Sequence, residues 1–368
     1  MKRIPLIKPY ITKEVKDSVC AVLDSGYLTE GRVTAEFEAV FKQYTGCDHV
    51  VAVNSCTTGL EIALRAVGVG PGEEVIVPDY TYPATADVVA IVGAKIVIVD
   101  INPRTMLIDY SELEQAITPR TRAILPVSLF GNPLDYDRLH VLKKKYGFYI
   151  VEDAACSIGA EYKGKKVGTM ADISVFSLHP RKFITTGEGG LITTNNKKWA
   201  AWMNSYKRFG IGASDSREGT SFERIGSNYK LSNVLAAIGL VQMEHIDELL
   251  EKRLELSRRY EELLADCEGV RFPEKTSGGR HSCQSFCIFV ENRDGVMKSM
   301  RSQGIEVQIG TYSLHMHPAF ASRSYCEIKG NMTGSKHAFR HCLTLPLYHE
   351  MTESDQEDVV KQLLESLA

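Results

Sequence analysis

The sequence lacks an excess of charge of either sign: 43 Lys and Arg face 46 Asp and Glu, a formal net charge of −3 over 368 residues. Nucleic acid and anionic membrane both call for a basic face, so neither partner is expected. A long apolar run is also missing. The most apolar stretch, residues 88–100, is broken by Gly93 and Lys95 and is far too short to span a bilayer. No apolar core precedes the charges of the N-terminal MKRIPLIKPYITKEV, so no secretory signal is read there. The nine cysteines contain no C-x-x-C pair, and Cys283 with Cys287 has no second half-site, which argues against zinc. No metal is expected. An odd number of scattered cysteines fits reduced thiols in a soluble, cytoplasmic protein.

What is present is an ordinary globular composition, 44% hydrophobic and 24% charged. The length suits one large domain and a smaller one. Short β-branched runs at 49–53, 73–78, 94–100, 122–127 and 148–153 alternate with helical patterns at 57–67, 83–92, 111–117 and 135–147. That alternation predicts an α/β fold with a parallel sheet covered on both faces. Two further strand-like runs follow at 173–177 and 190–194. Residues 233–267 read as one long, bent helix, apolar nearly all round in its first half and amphipathic in its second. The remainder, with strand-like 283–292 and 306–310 and helical 294–304 and 354–368, reads as a small α+β unit. We place the boundary near 240–250, giving a large domain at 1–245 and a small one at 246–368.

Ligands of an open parallel sheet bind beyond the carboxyl ends of its strands, so the residues following each run matter most. The first strand leads into Asn54-Ser55-Cys56-Thr57-Thr58-Gly59 and a helix, where bare backbone N–H groups make an anion site. Taken alone, that segment reads more readily as a plain helix cap by Ser55 or Thr57. The 148–153 run ends in Asp153, which can pair with a cationic ring nitrogen, although a lone strand-end Asp is commonly a cap. In SVFSLHPRKFITTGEGG a strand ends at Ser177, Lys182 follows, and Gly187, Gly189 and Gly190 permit tight turns. Together these are the parts of a pyridoxal phosphate site: a Schiff-base lysine, an acid for the ring nitrogen and a phosphate cradle.

These segments resemble the DegT/DnrJ/EryC1/StrS family of sugar aminotransferases. The resemblance runs through SGYLTEGRVTAEFE, NSCTTGLEIAL, VPDYTYPATADVV, FGNPLDYD, EDAACSIGAEYKGKKVGT, FSLHPRKFITTGEGGLITT, GSNYKLSNVLAAIGL and LPLYHEMTESD. It implies a fold-type I large domain with a mixed, mostly parallel sheet, a smaller C-terminal α+β domain and pyridoxal 5'-phosphate as cofactor. Lys182 matches the Schiff-base lysine and Asp153 the partner of the pyridine nitrogen. Cys56 and Thr57 match the phosphate turn, Ser177 the serine on the same phosphate, and Tyr82 the aromatic stacked on the ring. Asn228 matches an asparagine that reaches the neighbouring subunit's phosphate site, which implies a homodimer. Tyr27, Glu30 and His315 fall in segments lining the sugar-nucleotide entrance in relatives.

Three positions depart from the family pattern: Cys56 replaces a glycine, Cys156 stands in place of a cofactor-contacting Gln or His, and Lys230 replaces an arginine. We assign Cys156 no contact. A dehydrating branch of the family carries histidine where this chain has Lys182, so transamination is expected here. The resemblance implies L-glutamate as donor and a ketone, most often at C4, of a nucleotide-linked deoxy sugar as acceptor. Lys182 would move protons between the donor's α-carbon and the cofactor, with its pKa lowered by a partly desolvated, cationic site. The alternatives are a non-nucleotide ketone, such as a keto-cyclitol or small keto-phosphate, and a non-catalytic cofactor-binding regulator. A nicotinamide dehydrogenase is rejected because Gly68-Val69-Gly70-Pro71-Gly72 follows a helix and precedes a strand, the wrong order for that fingerprint. His315 and His317 read as a surface pair.

Overall fold

The computed structural model describes residues 3–212, 218–321 and 323–367. Ala368, the end of the predicted last helix, and Met1 and Lys2 of the N-terminal segment lie outside the described residues. Seven strands, β1 (His49–Val53), β2 (Glu74–Pro78), β3 (Lys95–Val99), β4 (Thr121–Ile124), β5 (Tyr149–Asp153), β6 (Ile173–Ser177) and β7 (Gly190–Thr194), follow the predicted apolar runs closely. An eighth, β8 (Cys326–Ile328), returns from much later in the chain. The sheet order is β1-β7-β6-β5-β4-β2-β3-β8. All neighbours are parallel except β7, which runs antiparallel to both β1 and β6. The expected mixed, mostly parallel sheet is therefore present.

The strands are buried on both faces because helices cover both, which is why they read as continuous apolar runs without alternation. One face carries α1 (Lys13–Ser25), α2 (Arg32–Thr45) and the helix Asn233–Glu244, which pack on one another. Gly239 of the last approaches Phe37 so closely that an added Cβ would lie 2.6 Å from the ring. The helix Cys56–Ala66 lies over the other face, beneath Val53 and Val175. Its start is set by Ser55, in extended conformation, whose hydroxyl accepts from Thr58 N at 3.1 Å.

The long helix expected at 233–267 is two helices, Asn233–Glu244 and Ile246–Leu263. His245 leaves helical geometry (φ −106°, ψ 9°) and sets its ring edge-on to Tyr10. Beyond it, the strands Val270–Arg271, Phe286–Val290, Cys342–Leu345 and Gln308–Ile309 form a four-stranded antiparallel sheet with a core of its own. Two segments cross the proposed division at 245/246. Ile4 belongs to the small unit's core and bridges Ile305, while β8 adds an edge strand to the large sheet.

Gly59 faces Val175 and Val53, and an added Cβ would meet them at 2.7 and 3.2 Å. Gly59→Val is expected to cost about 1–3 kcal/mol through overpacking, read as a lower midpoint of urea denaturation.

Candidate active site

Because β7 is antiparallel between β1 and β6, the carboxyl ends of β1, β5 and β6 share one edge of the sheet. At that edge Val53, Gly190 and Ser177 sit side by side in register. Gly190 is pressed against the turn before the Cys56–Ala66 helix: a Cβ there would lie 2.8 Å from Cys56 N and from the Ser55 carbonyl. Only glycine permits that approach. The amides of Cys56 and Thr57, the first two of the helix, have no acceptor among the described residues. The Cys56 thiol points away into the core near the Val175 carbonyl, and burial raises its pKa well above the usual thiol value. Ser177, nearly buried, accepts from His179 N at 3.3 Å, and its own hydroxyl proton has no acceptor among the described residues. Two free amides at a helix N-terminus and a free hydroxyl one strand away fit a phosphate.

Asp153 ends β5 and is 5% exposed. Its Oδ2 accepts from Thr85 Oγ1 at 2.7 Å, and its Oδ1 from Ala155 N at 3.1 Å. Thr85 in turn touches Thr81 Oγ1 at 2.9 Å. Burial raises the Asp153 pKa, and the Thr85 and Ala155 hydrogen bonds and the charge of Lys182 pull against it. A buried carboxylate with one side already braced suits a cationic N–H partner on the other. Tyr82 lies just before Thr85, which donates its amide to the Tyr82 carbonyl at 3.1 Å, and its ring is 65% exposed beside Tyr312.

Lys182 sits in an irregular loop whose backbone is held by two buried glutamines. Gln284 accepts from Phe183 N at 3.1 Å and donates to Arg181 O at 2.8 Å, bracketing Lys182. Gln242 does the same for Thr185, at 2.8 and 2.9 Å. The Lys182 Nζ points to Cys156 Sγ at 3.1 Å. Burial lowers its pKa, but the acidic neighbours Cys156, Cys56 and Asp153 outweigh burial, and the net direction is upward. This reverses the lowered value expected from the sequence: the chain itself surrounds the amine with acids, and a cationic environment would have to come from the bound cofactor. Cys156, left without a contact in the sequence reading, is the direct neighbour of the lysine. Cofactor binding requires a lysine, a ring-nitrogen acid and a phosphate cradle on one edge, and the residues present fit that group.

The remaining sequence candidates scatter. Asn228 accepts from the Lys230 side chain and runs with it along the end of this chain's own β1, where Lys230 bridges Val53. Glu30 is almost covered and ion-paired with Lys207 at 3.1 Å and with Arg208. Tyr27 is 79% exposed. His315 is not part of a surface pair: its Nδ1 lies 2.6 Å from the buried Asp79 carboxylate, which Ser335 also contacts. That leaves His315 Nε2 buried and without a partner among the described residues.

Thr85→Val removes the hydroxyl that stabilises ionised Asp153. Cofactor retention on dialysis, followed by absorbance, is expected to weaken about tenfold, as for one lost hydrogen bond to a charged group.

The geometry agrees with the comparisons. The model of the DegT/DnrJ/EryC1/StrS aminotransferase family matches residues 9–364. The GDP-perosamine synthase of Caulobacter vibrioides is 37% identical over 99% of this chain and 98% of its own length. The solved structure of S. venezuelae DesV is 31% identical, with a TM-score of 0.92 over 99% of this chain and 98% of its own. Helicobacter pylori PseC, an aminotransferase involved in the biosynthesis of pseudoaminic acid, is 25% identical with a TM-score of 0.94, covering 100% of this chain and 99% of that one. The protein belongs to the DegT/DnrJ/EryC1/StrS family and is a pyridoxal phosphate-dependent sugar aminotransferase.

Proposed function

We propose that this enzyme transfers an amino group from L-glutamate to a keto group, at C4, of a nucleotide-linked deoxy sugar. The single observation that carries the catalytic part is the convergence of Lys182, Asp153 and the Ser55–Thr57 turn on one sheet edge. The substrate part is supported by the relative of Caulobacter vibrioides, whose name as a GDP-perosamine synthase places its product on a nucleotide. The cofactor, when bound, supplies an electron-accepting ring that stabilises a carbanion next to nitrogen. Cys56 N, Thr57 N and Ser177 Oγ would hold its phosphate. Asp153 would hold a proton on the ring nitrogen, and Thr85 orients that carboxylate and favours its ionised form. Tyr82 would cover the ring.

Lys182 Nζ removes the proton from the α-carbon of the donor and later delivers one to the former keto carbon of the acceptor. Cys156, whose thiol lies 3.1 Å from Nζ in the structure, is the polar neighbour of that amine. Tyr27 and His315 would contact the acceptor, with His315 Nε2, buried and without a partner among the described residues, offering a polar contact. A homodimer completes the site in this reading, with Asn228 contributing to the partner's phosphate turn. The exposed apolar side chains of Phe222 and Ile225, 68% and 93% exposed just before Asn228, support such a contact. We assign the enzyme to the cytoplasm.

The purified protein should be yellow, and borohydride should fix the cofactor on Lys182. Glutamate alone should bleach the absorbance of the bound pyridoxal form, and nucleoside-diphosphate keto-sugars should restore it. Lys182→Ala is expected to lose turnover by at least a thousandfold, and a variant that still aminated a keto-sugar from glutamate would sink the assignment. Restoration by a keto-cyclitol or a keto-phosphate, with none by nucleotide sugars, would replace the substrate class.

A further inference from the structure

Beside Lys182 stands a nucleophile to which the proposed reaction gives no bond to make. Cys156 follows β5 and Lys182 follows β6, yet Lys182 Nζ donates to Cys156 Sγ at 3.1 Å. One stretch of the small unit holds both backbones. Ser282 Oγ donates to the Cys156 carbonyl at 3.2 Å. Two residues on, Gln284 donates to the Arg181 carbonyl at 2.8 Å and accepts from Phe183 N at 3.1 Å. Arg253 fixes that stretch in turn, through the carbonyls of Cys283 and Gln284. The two side chains are thus held in contact from behind, and the flexible four-carbon stem of lysine can close the remaining gap.

The neighbouring thiols are engaged elsewhere. Cys56 turns to the Val175 carbonyl at 3.8 Å, and the buried Cys287 lies 3.5 Å from Thr344 Oγ1. Cys156 and Lys182 each keep part of their surface open to solvent, so a small oxidant can reach them. A thiol oxidised to a sulfenic acid condenses with an adjacent thiol or nitrogen. Here the nucleophile in contact with the sulfur is the lysine amine.

We propose that Cys156 and Lys182 form a peroxide-sensitive lock, joined on oxidation by a sulfur–nitrogen bond. Hydrogen peroxide passes one oxygen to the Cys156 sulfur: its O–O bond breaks, the sulfur loses two electrons, and the peroxide is reduced to water. The Lys182 ammonium gives one proton to solvent, and the amine then attacks the sulfenic sulfur. An S–N bond forms, the S–O bond breaks, and the departing hydroxide leaves as water with a second proton from the nitrogen. A thiol reductant returns two electrons and restores thiol and amine. The link needs only the contact between the two side chains. Its consequence rests on the reading of Lys182 as the cofactor lysine, because the new bond occupies the nitrogen that the cofactor requires.

The test treats the full chain, freed of cofactor, with hydrogen peroxide, blocks the remaining thiols and maps the peptides by mass without reductant. A peptide joining Cys156 to Lys182 is expected, lighter than its two halves by about 2 Da for the two hydrogens lost. Dithiothreitol should release it. Cofactor uptake, followed by absorbance, should be lost on oxidation and return with the reductant. Cys156→Ser should take up cofactor both before and after peroxide, and its uptake before treatment reports that it is folded. The wild-type map tests the link even where the variant fails to fold. A disulfide from Cys156 to Cys56 or Cys287, or Cys156 carried to a sulfinic acid with Lys182 free, would overturn the proposal. So would a loss of uptake in Cys156→Ser as complete as in the wild type. Prior loading with cofactor should prevent the link. A link that formed equally in loaded enzyme would uphold the pair and strike the reading of Lys182 alone.

Discussion

Lys182, which we propose as the catalytic lysine, lies in a segment with no regular secondary structure, and the grip of two glutamine side chains on that segment is what the proposed site depends on. A primary amide offers one acceptor and two donors, so it can satisfy a backbone N–H and C=O together, as a neighbouring strand would. Gln284 does this on either side of Lys182, and Gln242 does it at Thr185. Each such hydrogen bond contributes about 1 kcal/mol net, but leaving one of these buried partners unpaired costs about 1–3 kcal/mol. The loop is therefore held less by what it gains than by what any displacement would forfeit. Gln284 is itself anchored, because Arg253 donates to its carbonyl at 2.7 Å and to that of Cys283 at 2.9 Å. Arg253 is fully buried with no carboxylate beside it among the described residues, and desolvation brings its pKa down to about 10. It still binds as a donor to two carbonyl oxygens. Through this chain of contacts, the small unit's entry from helix Ile246–Leu263 fixes the position of the lysine.

Much of the architecture was legible because fully buried strands and cap residues leave local marks. The apolar runs matched β1 to β7 within a few residues, and Ser55 announced the helix that follows it. The lysine, the acid and the small-residue turn were legible as a set because each follows a strand. Other features carry no local mark. Thr85 reaches Asp153 across 68 positions and Gln284 reaches the Lys182 loop across about a hundred, and neither residue type signals a partner at that range. Cys156 sits close to Asp153 in sequence, but only the path of the loop from β6 brings Lys182 to its thiol. The strand β8 was missed because three residues, Cys326–Ile328, are too few for any periodicity to register. The break at His245 also has no Pro or Gly to announce it. It arises where the chain passes from the helical layer over the large sheet toward the small unit.

The direction of the lysine's pKa shows how far a site's chemistry is shared between chain and cofactor. Reading the sequence, one expects a cationic surrounding and a lowered value. The chain supplies the opposite: a carboxylate and two thiols close to Nζ, which favour the ammonium form. An ammonium is the wrong form for a nucleophile or a base, yet it is a fitting neighbour for a buried carboxylate. Asp153 is fully buried, and without a cation nearby its charge would be expensive. The charge of the protonated lysine offsets part of that cost. Of the groups that raise the lysine's pKa, Cys156 contributes most and Asp153 least, so a cationic partner for Asp153 would by itself relieve only a small part of that shift. The braced carboxylate is thus the fixed point of the site, and Cys156, 3.1 Å from Nζ, is the neighbour that weighs most on the lysine.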